Sequence, residues 1–132
     1  ATAVGQGHDL SHGWLVDYAG NDEYFAPGLG MGGGNDNGLG FFIDVSGDDI
    51  YHGPDGTTFG GAQIGDRGAA FDTTLCLGVF VDGNGQDVYE VSEELPQVGN
   101  ELNWQWSDRR PAAKPGEIGT GLDTTNTPVL IP

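Results

Sequence analysis

Val81-Asp82-Gly83-Asn84-Gly85-Gln86-Asp87-Val88-Tyr89 decides how this chain is read, because its skeleton occurs three times. An apolar residue is followed by Asp, two free positions, Gly, a free position, Asp, a free position and Tyr. The other copies are residues 16–24 (VDYAGNDEY) and 43–51 (IDVSGDDIY). The first aspartates are Asp17, Asp44 and Asp82, the second are Asp22, Asp49 and Asp87, and the tyrosines are Tyr24, Tyr51 and Tyr89. Five spaced identities in triplicate within 132 residues mark a repeat protein. In such a protein each copy is one supersecondary unit that buries its apolar face only by stacking on its neighbours.

The repeat extends backward from these turns. Gly13 precedes Trp14-Leu15-Val16-Asp17, Gly40 precedes Phe41-Phe42-Ile43-Asp44, and Gly78 precedes Val79-Phe80-Val81-Asp82. Short apolar runs bounded by Gly and Asp read as buried strands rather than helices. A Gly at one fixed place in each copy predicts close backbone approach. No stretch has a helical period. Asp17 and Asp44 are 27 residues apart and Asp44 and Asp82 are 38 apart, which predicts an insertion of 11 residues, placed within residues 65–74. The Gly-rich links between the anchors read as small-residue strands. The expected fold is therefore all-β: a short parallel β-solenoid of about three Gly/Asp-rich rungs over residues 1–90, with anchors at 16–24, 43–51 and 81–89.

Composition supports a thin core. Only 36% of residues are apolar, and the 25 glycines follow no collagen-like period. The formal charge is −16. Residues 1–90 hold 14 acidic groups, with Arg67 as their only Arg or Lys. Such a surface repels nucleic acid and anionic membranes, both of which bind through Lys and Arg. It also repels itself, and a divalent cation would offset that repulsion. No apolar run approaches the roughly 18 residues of a membrane-spanning helix. Cys76 is alone and reads as a small buried hydrophobe. The start, Ala-Thr-Ala without Met, reads as a processed chain and leads to an expectation of export to the extracellular space or cell surface.

The pattern stops after Glu90. In residues 91–107, Trp104 and Trp106 are two apart and would share one face of a strand, so this region is expected to cap the last rung. Residues 108–132 are Pro-, Gly- and Thr-rich and read as an extended arm, lying on this domain or docking to another subunit.

The turns resemble the calcium-binding nonapeptide of the repeats-in-toxin family, Gly-Gly-x-Gly-x-Asp-x-apolar-x. The third copy matches best, through Gly83, Gly85, Asp87 and Tyr89 with Asp82 in the first Gly position; the others keep Gly20, Asp22 and Tyr24, and Gly47, Asp49 and Tyr51. More broadly the chain resembles a bacterial secreted repeat type with Gly-Asp-Asp-x-Tyr turns. The resemblance implies carboxylates and backbone carbonyls that hold calcium between successive rungs, with the apolar residue pointing inward. Independently, calcium takes six to eight oxygens from a flexible loop, and each turn offers two Asp. The candidate calcium ligands are Asp17, Asp22, Asp44, Asp49, Asp82 and Asp87; the alternative is that Asp and Gly serve only as turn formers. The three tyrosines read as a stacked core ladder. His8 and His12 lie in a segment aligned with the turn at residues 35–39 and read as turn residues. A non-enzymatic, exported structural or assembly module with calcium in its Asp turns, docking to other protein subunits, is the function expected from these features. One alternative is a carbohydrate-binding or carbohydrate-cleaving β-helix using Trp104 and Trp106; another is an accessory subunit of a larger complex.

Overall fold

Each copy of the repeat places one strand in each of three sheets. The computed structural model describes residues 4–65, 68–69, 71–72, 74–93, 97–106 and 114–125. The first unit supplies β1 (Gly7–His8), β2 (His12–Asp17) and β3 (Glu23–Phe25). The second supplies β4 (Gly34–Asn35), β5 (Leu39–Asp44) and β6 (Ile50–Asp55), and the third β7 (Ala62–Gln63), β8 (Cys76–Gly83) and β9 (Val88–Glu93). A short 3-10 turn at Gly56–Thr58, β10 (Asn103–Gln105) and β11 (Glu117–Thr124) complete the elements. The sheets run β1-β4-β7, β10-β11-β8-β5-β2 and β3-β6-β9. Every pairing is parallel except β10 with β11. The result is an all-β domain of three sheets packed extensively on one another.

Register places like on like. Gly13, Gly40, Gly78 and Gly119 form one column, and Asp17, Asp44, Asp82 and Asp123 another. Tyr24, Tyr51 and Tyr89 form a third. Strand alternation turns the Asp and Phe columns of the central sheet inward and leaves Trp14, Phe41 and Val79 on the outer face. Trp14 stacks on Phe41 with ring centroids 3.9 Å apart.

The interior changes character across the rung. Between the β1-β4-β7 sheet and the central sheet, glycines let the backbones touch: a Cβ on Gly40 would lie 2.1 Å from the Gly33 carbonyl oxygen. Between the central sheet and β3-β6-β9 the core is aromatic. Phe42 stacks on Phe80 at 5.0 Å, and Tyr51 stands between Tyr24 and Tyr89 at 5.4 and 5.0 Å. Met31, Phe59 and Trp104 complete this cluster. Cys76 is buried with Ala62, Ile64 and Trp106, as a small hydrophobe should be.

Ten of the eleven added residues of the third unit fall where the spacing predicts; the eleventh lies before β7, since Gln63 is 28 residues beyond Asn35 where Asn35 is 27 beyond His8. Asn35 and Leu39 pair with Gln63 and Leu77, so a four-residue step widens to fourteen without disturbing register on either side. Asn37 Nδ2 fastens this segment by donating to the carbonyls of Phe71 and Thr74, at 3.0 and 3.1 Å. The His8 segment is also a turn: Asp9 and Leu10 have φ of 54° and 60°, matching Asp36 and Asn37 at 47° and 65°.

Two expectations are corrected. Residues 117–124, assigned from composition to an extended arm, form β11 and continue the central sheet in parallel register with β8. Its inward residues, Glu117, Gly119, Gly121 and Asp123, are buried, which a Gly/Thr-rich composition conceals. Residues 108–113 and 126–132 of that arm lie outside the described residues, as does Arg67. The second correction concerns Trp104 and Trp106, offered as sugar-stacking groups. Both are buried and have no face for a ligand.

Trp104 has a specific task in the packing. Gly121 occupies the column position held by Phe42 and Phe80, and a Cβ there would lie 2.0 Å from the Trp104 ring. The indole fills the missing aromatic's place, 5.8 Å from Phe80, and Nε1 donates to the Phe59 carbonyl at 3.0 Å. Trp104→Ala is expected to cost about 3–5 kcal/mol by emptying this slot, and thermal unfolding measures the loss.

Candidate metal centre

The first Asp of each turn lies at or next to the end of a strand of the central sheet, so alternation aims its carboxylate inward. Asp44, Asp82 and Asp123 are buried. Two main-chain steps hold the turns in place. Asp17 and Asp44 accept from the backbone N–H two residues on, at Ala19 and Ser46. The second Asp of each turn reaches back one unit: Asp49 accepts from the Asp22 N–H at 2.6 Å, and Asp87 from the Asp49 N–H at 2.9 Å. Asn100 continues this ladder by accepting from the Asp87 N–H at 2.7 Å.

Carboxylates of neighbouring units converge between these anchors. Oxygens of Asp44, Asp49 and Asp82 lie within 4.8 Å of one another, and so do oxygens of Asp82, Asp87 and Asp123. Asp82 belongs to both groups. It is fully buried, and neither of its carboxylate oxygens has a hydrogen-bond partner. Asp49 Oδ2 and the Tyr51 hydroxyl are likewise buried and unpartnered. The flanking positions differ. Tyr24 Oη lies 3.0 Å from Asp17 Oδ2 and 2.9 Å from Asp44 Oδ2, and Tyr89 donates to Asp123 Oδ2 at 2.7 Å. Asp123 Oδ1 also accepts from the Glu101 N–H at 2.8 Å.

Burial dominates the electrostatics. It pushes the Asp82 carboxyl up to about 8, with Asp87 adding repulsion, while the nearby Tyr51 hydroxyl, outside hydrogen-bond geometry, offsets only part. Burial also raises Asp44 to about 6 against the lowering effect of the Tyr24 hydroxyl. Asp49, Asp87 and Asp123 are raised for the same first reason. The hydroxyls of Tyr24, Tyr51 and Tyr89 are pushed upward by burial beside these carboxylates, so they remain neutral. Lys114, the only Lys or Arg among the described residues, pairs with Asp72 at 2.9 Å. His52 lies between Glu23 and Glu90, at 2.8 and 3.0 Å. Buried carboxylates without a cationic partner are costly. Protons or a divalent cation can relieve that cost, and carboxylate oxygens are ligands for hard cations.

Of the six ligands expected from sequence, Asp44, Asp49, Asp82 and Asp87 meet in these two groups. Asp17 instead shares the Tyr24 hydroxyl with Asp44, and Asp22 stands one unit away. Asp123 was not anticipated. Its signal is the spacing Gly119-Thr120-Gly121-Leu122-Asp123, which repeats Gly78-Val79-Phe80-Val81-Asp82 at Gly and Asp. Gly121 in the aromatic position and the missing Gly-x-Asp-x-Tyr turn conceal it. A third grouping, His8 with Asp9 and Asp36, is largely at the surface. Comparison of the chain with protein-family models, curated proteins and solved structures finds no match.

Proposed function

We propose that the chain is a non-catalytic structural module of an exported protein: a short parallel β-solenoid whose Asp turns take up calcium and which docks to other protein subunits. The coiled path is supported by three sheets that each take one strand per unit, in the same order and in parallel pairing. Calcium is supported above all by Asp82, buried, unpartnered and common to both carboxylate groups. Asp44 and Asp49 would hold a cation on one side of it, and Asp87 and Asp123 on the other. Millimolar calcium outside the cell would suffice even for weak sites, since extracellular calcium modules bind at about 0.1–1 mM. An accessory role in a larger complex is a special case of this reading. The carbohydrate alternative loses its two tryptophans.

Titration calorimetry of cation-stripped protein tests the reading. Calcium is expected to bind saturably and to raise the unfolding free energy by RT ln(1 + [L]/Kd), about 2.7 kcal/mol at a hundredfold excess over Kd. Magnesium should bind more weakly, because it demands a small octahedral cage. Absent heat, together with identical melting in EDTA and in millimolar calcium, overturns it.

A further inference from the structure

We propose that the outer face of the central sheet is an interface on which a second copy of this chain packs face to face, about a two-fold axis running along the strands. The inference rests on the docking part of the reading above, for which it names a surface and a partner. It is independent of the calcium part.

The strands of this sheet alternate between a more buried inward residue and a more exposed outward one. Register lines the outward residues up in rows that cross β2, β5, β8 and β11. One row is Trp14, Phe41, Val79 and Thr120, and the next is Val16, Ile43, Val81 and Leu122. A third runs from His12 through two leucines to Ile118. Only His12 and Thr120 in these rows are not apolar, and no position carries a carboxylate, an ammonium or a guanidinium group. The inward face of the same strands packs on the core, so the sheet is apolar on both sides. Parallel sheets of that kind are as a rule covered on both faces. Here Trp14, Val16, Ile118 and Leu122 are 58%, 45%, 48% and 39% exposed. At about 4.8 Å between strands and 3.3 Å per residue, four strands and five residues make a footprint of roughly 300 Å². A contiguous apolar patch of that size on a single chain is often a contact site. On one side it gives way to β10, whose outward Asn103 and Gln105 are polar and exposed, as the rim of an interface is.

Charge and size select the occupant. The chain carries a formal charge of −16, so two copies that meet through their acidic turns set carboxylates against each other, whereas this face brings none together. Along the first row the side chains shrink, from indole through phenyl to isopropyl and hydroxyethyl. A two-fold axis along the strands sets β2 opposite β11 of the second copy, and β5 opposite its β8. Trp14 then faces Thr120 of the second copy and Phe41 faces its Val79, so large meets small throughout the row. The row from Val16 to Leu122 holds aliphatic side chains of like size and fits the same arrangement. An axis across the strands would instead oppose Trp14 to Trp14 and leave Thr120 facing Thr120. The two sheets would stack about 10 Å apart with their strands nearly aligned, as in a β-sandwich. Such a contact is isologous and closes at two copies.

Sedimentation equilibrium of the intact chain from micromolar to millimolar concentration tests the inference, with acrylamide quenching of tryptophan fluorescence on the same samples. Trp104 and Trp106 are buried, so quenching reports on Trp14. A monomer–dimer equilibrium is expected, with Trp14 shielded in step with dimer formation. The patch is at the small end of specific interfaces, so the affinity should be micromolar rather than nanomolar. Added salt should tighten the dimer by screening two acidic chains from each other. Val16→Glu and Leu122→Lys should each weaken it at least about tenfold, since each sets an unpaired charge in an apolar contact. Both positions are exposed in the monomer, so melting of the dilute variants should match the wild type. Mixed in equal amounts, the two variants should recover the dimer, because the axis sets Val16 of one copy against Leu122 of the other. Trp14→Gln should weaken the dimer without adding charge, which covers the case of a charged variant that folds poorly. A chain monomeric at millimolar concentration, a dimer indifferent to these substitutions, or variants that fail to rescue each other overturns the inference. So does a monomer whose Trp14 is already shielded, which would give the face to another segment of the same chain. Melting in EDTA and in calcium on the same samples separates the two readings. A chain that stays monomeric while calcium stabilises it loses only this interface.

Discussion

Stripped of divalent cations, the protein is expected to lose stability as the pH rises from about 4 to about 8, and Asp82→Asn is expected to remove most of that loss. A carboxyl whose pKa is higher in the folded than in the unfolded chain binds more protons when folded, so unfolding becomes easier as protons are withdrawn. For Asp82 the window runs from the ordinary value of 3.8 to about 8. Below it the carboxyl is neutral in both states and the stabilisation is fully present; above it the folded chain must hold a buried charge. At about 1.4 kcal/mol per pH unit this one group amounts to several kcal/mol. The groups facing it, Asp87, Tyr51, Asp123 and Asp44, supply no cation. Asp44 adds a smaller fall between 3.8 and about 6. Urea unfolding across this range, in cation-free buffer, gives the profile. Millimolar calcium should abolish or invert the slope for the wild type. Asp82→Asn should be more stable than the wild type at pH 8 without cations and should gain little from calcium. A flat wild-type profile would mean that water reaches the buried carboxylates.

Gly78→Ala should be strongly destabilising although it adds a single methyl group. Gly78 is in the middle of the central sheet with an ordinary strand φ, so the cost is steric and not conformational. Its Cβ would lie 2.1 Å from Gly61 O, 2.6 Å from Gly60 O and 2.7 Å from Gly60 C, all main-chain atoms of the segment leading into β7. Main chain cannot rotate aside, and both sheets are pinned above and below by parallel ladders. Overpacking typically costs about 1–3 kcal/mol where side chains can yield; here the loss should exceed that and lower the melting temperature by more than about 10 °C. Gly99→Ala is the contrast. Its Cβ would meet only Leu102 Cδ1 at 3.4 Å, and little change is expected. Equal melting of both variants would show that the two sheets can separate at no cost.

Much of this architecture was readable because the sequence repeats where the structure stacks. Identical spacing of Gly, Asp and Tyr means identical positions in register, so Gly40 over Gly78 and Tyr51 over Tyr89 follow from alignment alone. The excess of ten residues at the β7–β8 step was visible for the same reason. What could not be read were the relations between unlike residues. Trp104 fills a gap opened by Gly121, seventeen residues away, and neither residue announces the other. β11 is concealed because the middle two of its four inward positions are Gly and its outward ones are Ile, Thr, Leu and Thr, which together resemble a linker. The cation groups needed the fold as well: spacing gives two Asp per turn, but only packing shows that Asp82 is shared by two units while Asp17 is bound to Tyr24.

The segment between β7 and β8 has a consequence for how such a chain can diversify. Its added length leaves the pairing of Gly34 with Ala62 and of Leu39 with Leu77 in step, because loop closure costs rise only slowly with length. That corner is therefore a natural graft site, where new recognition loops can be inserted, exchanged or lengthened by genetic change while the ladders beneath them keep their sequence.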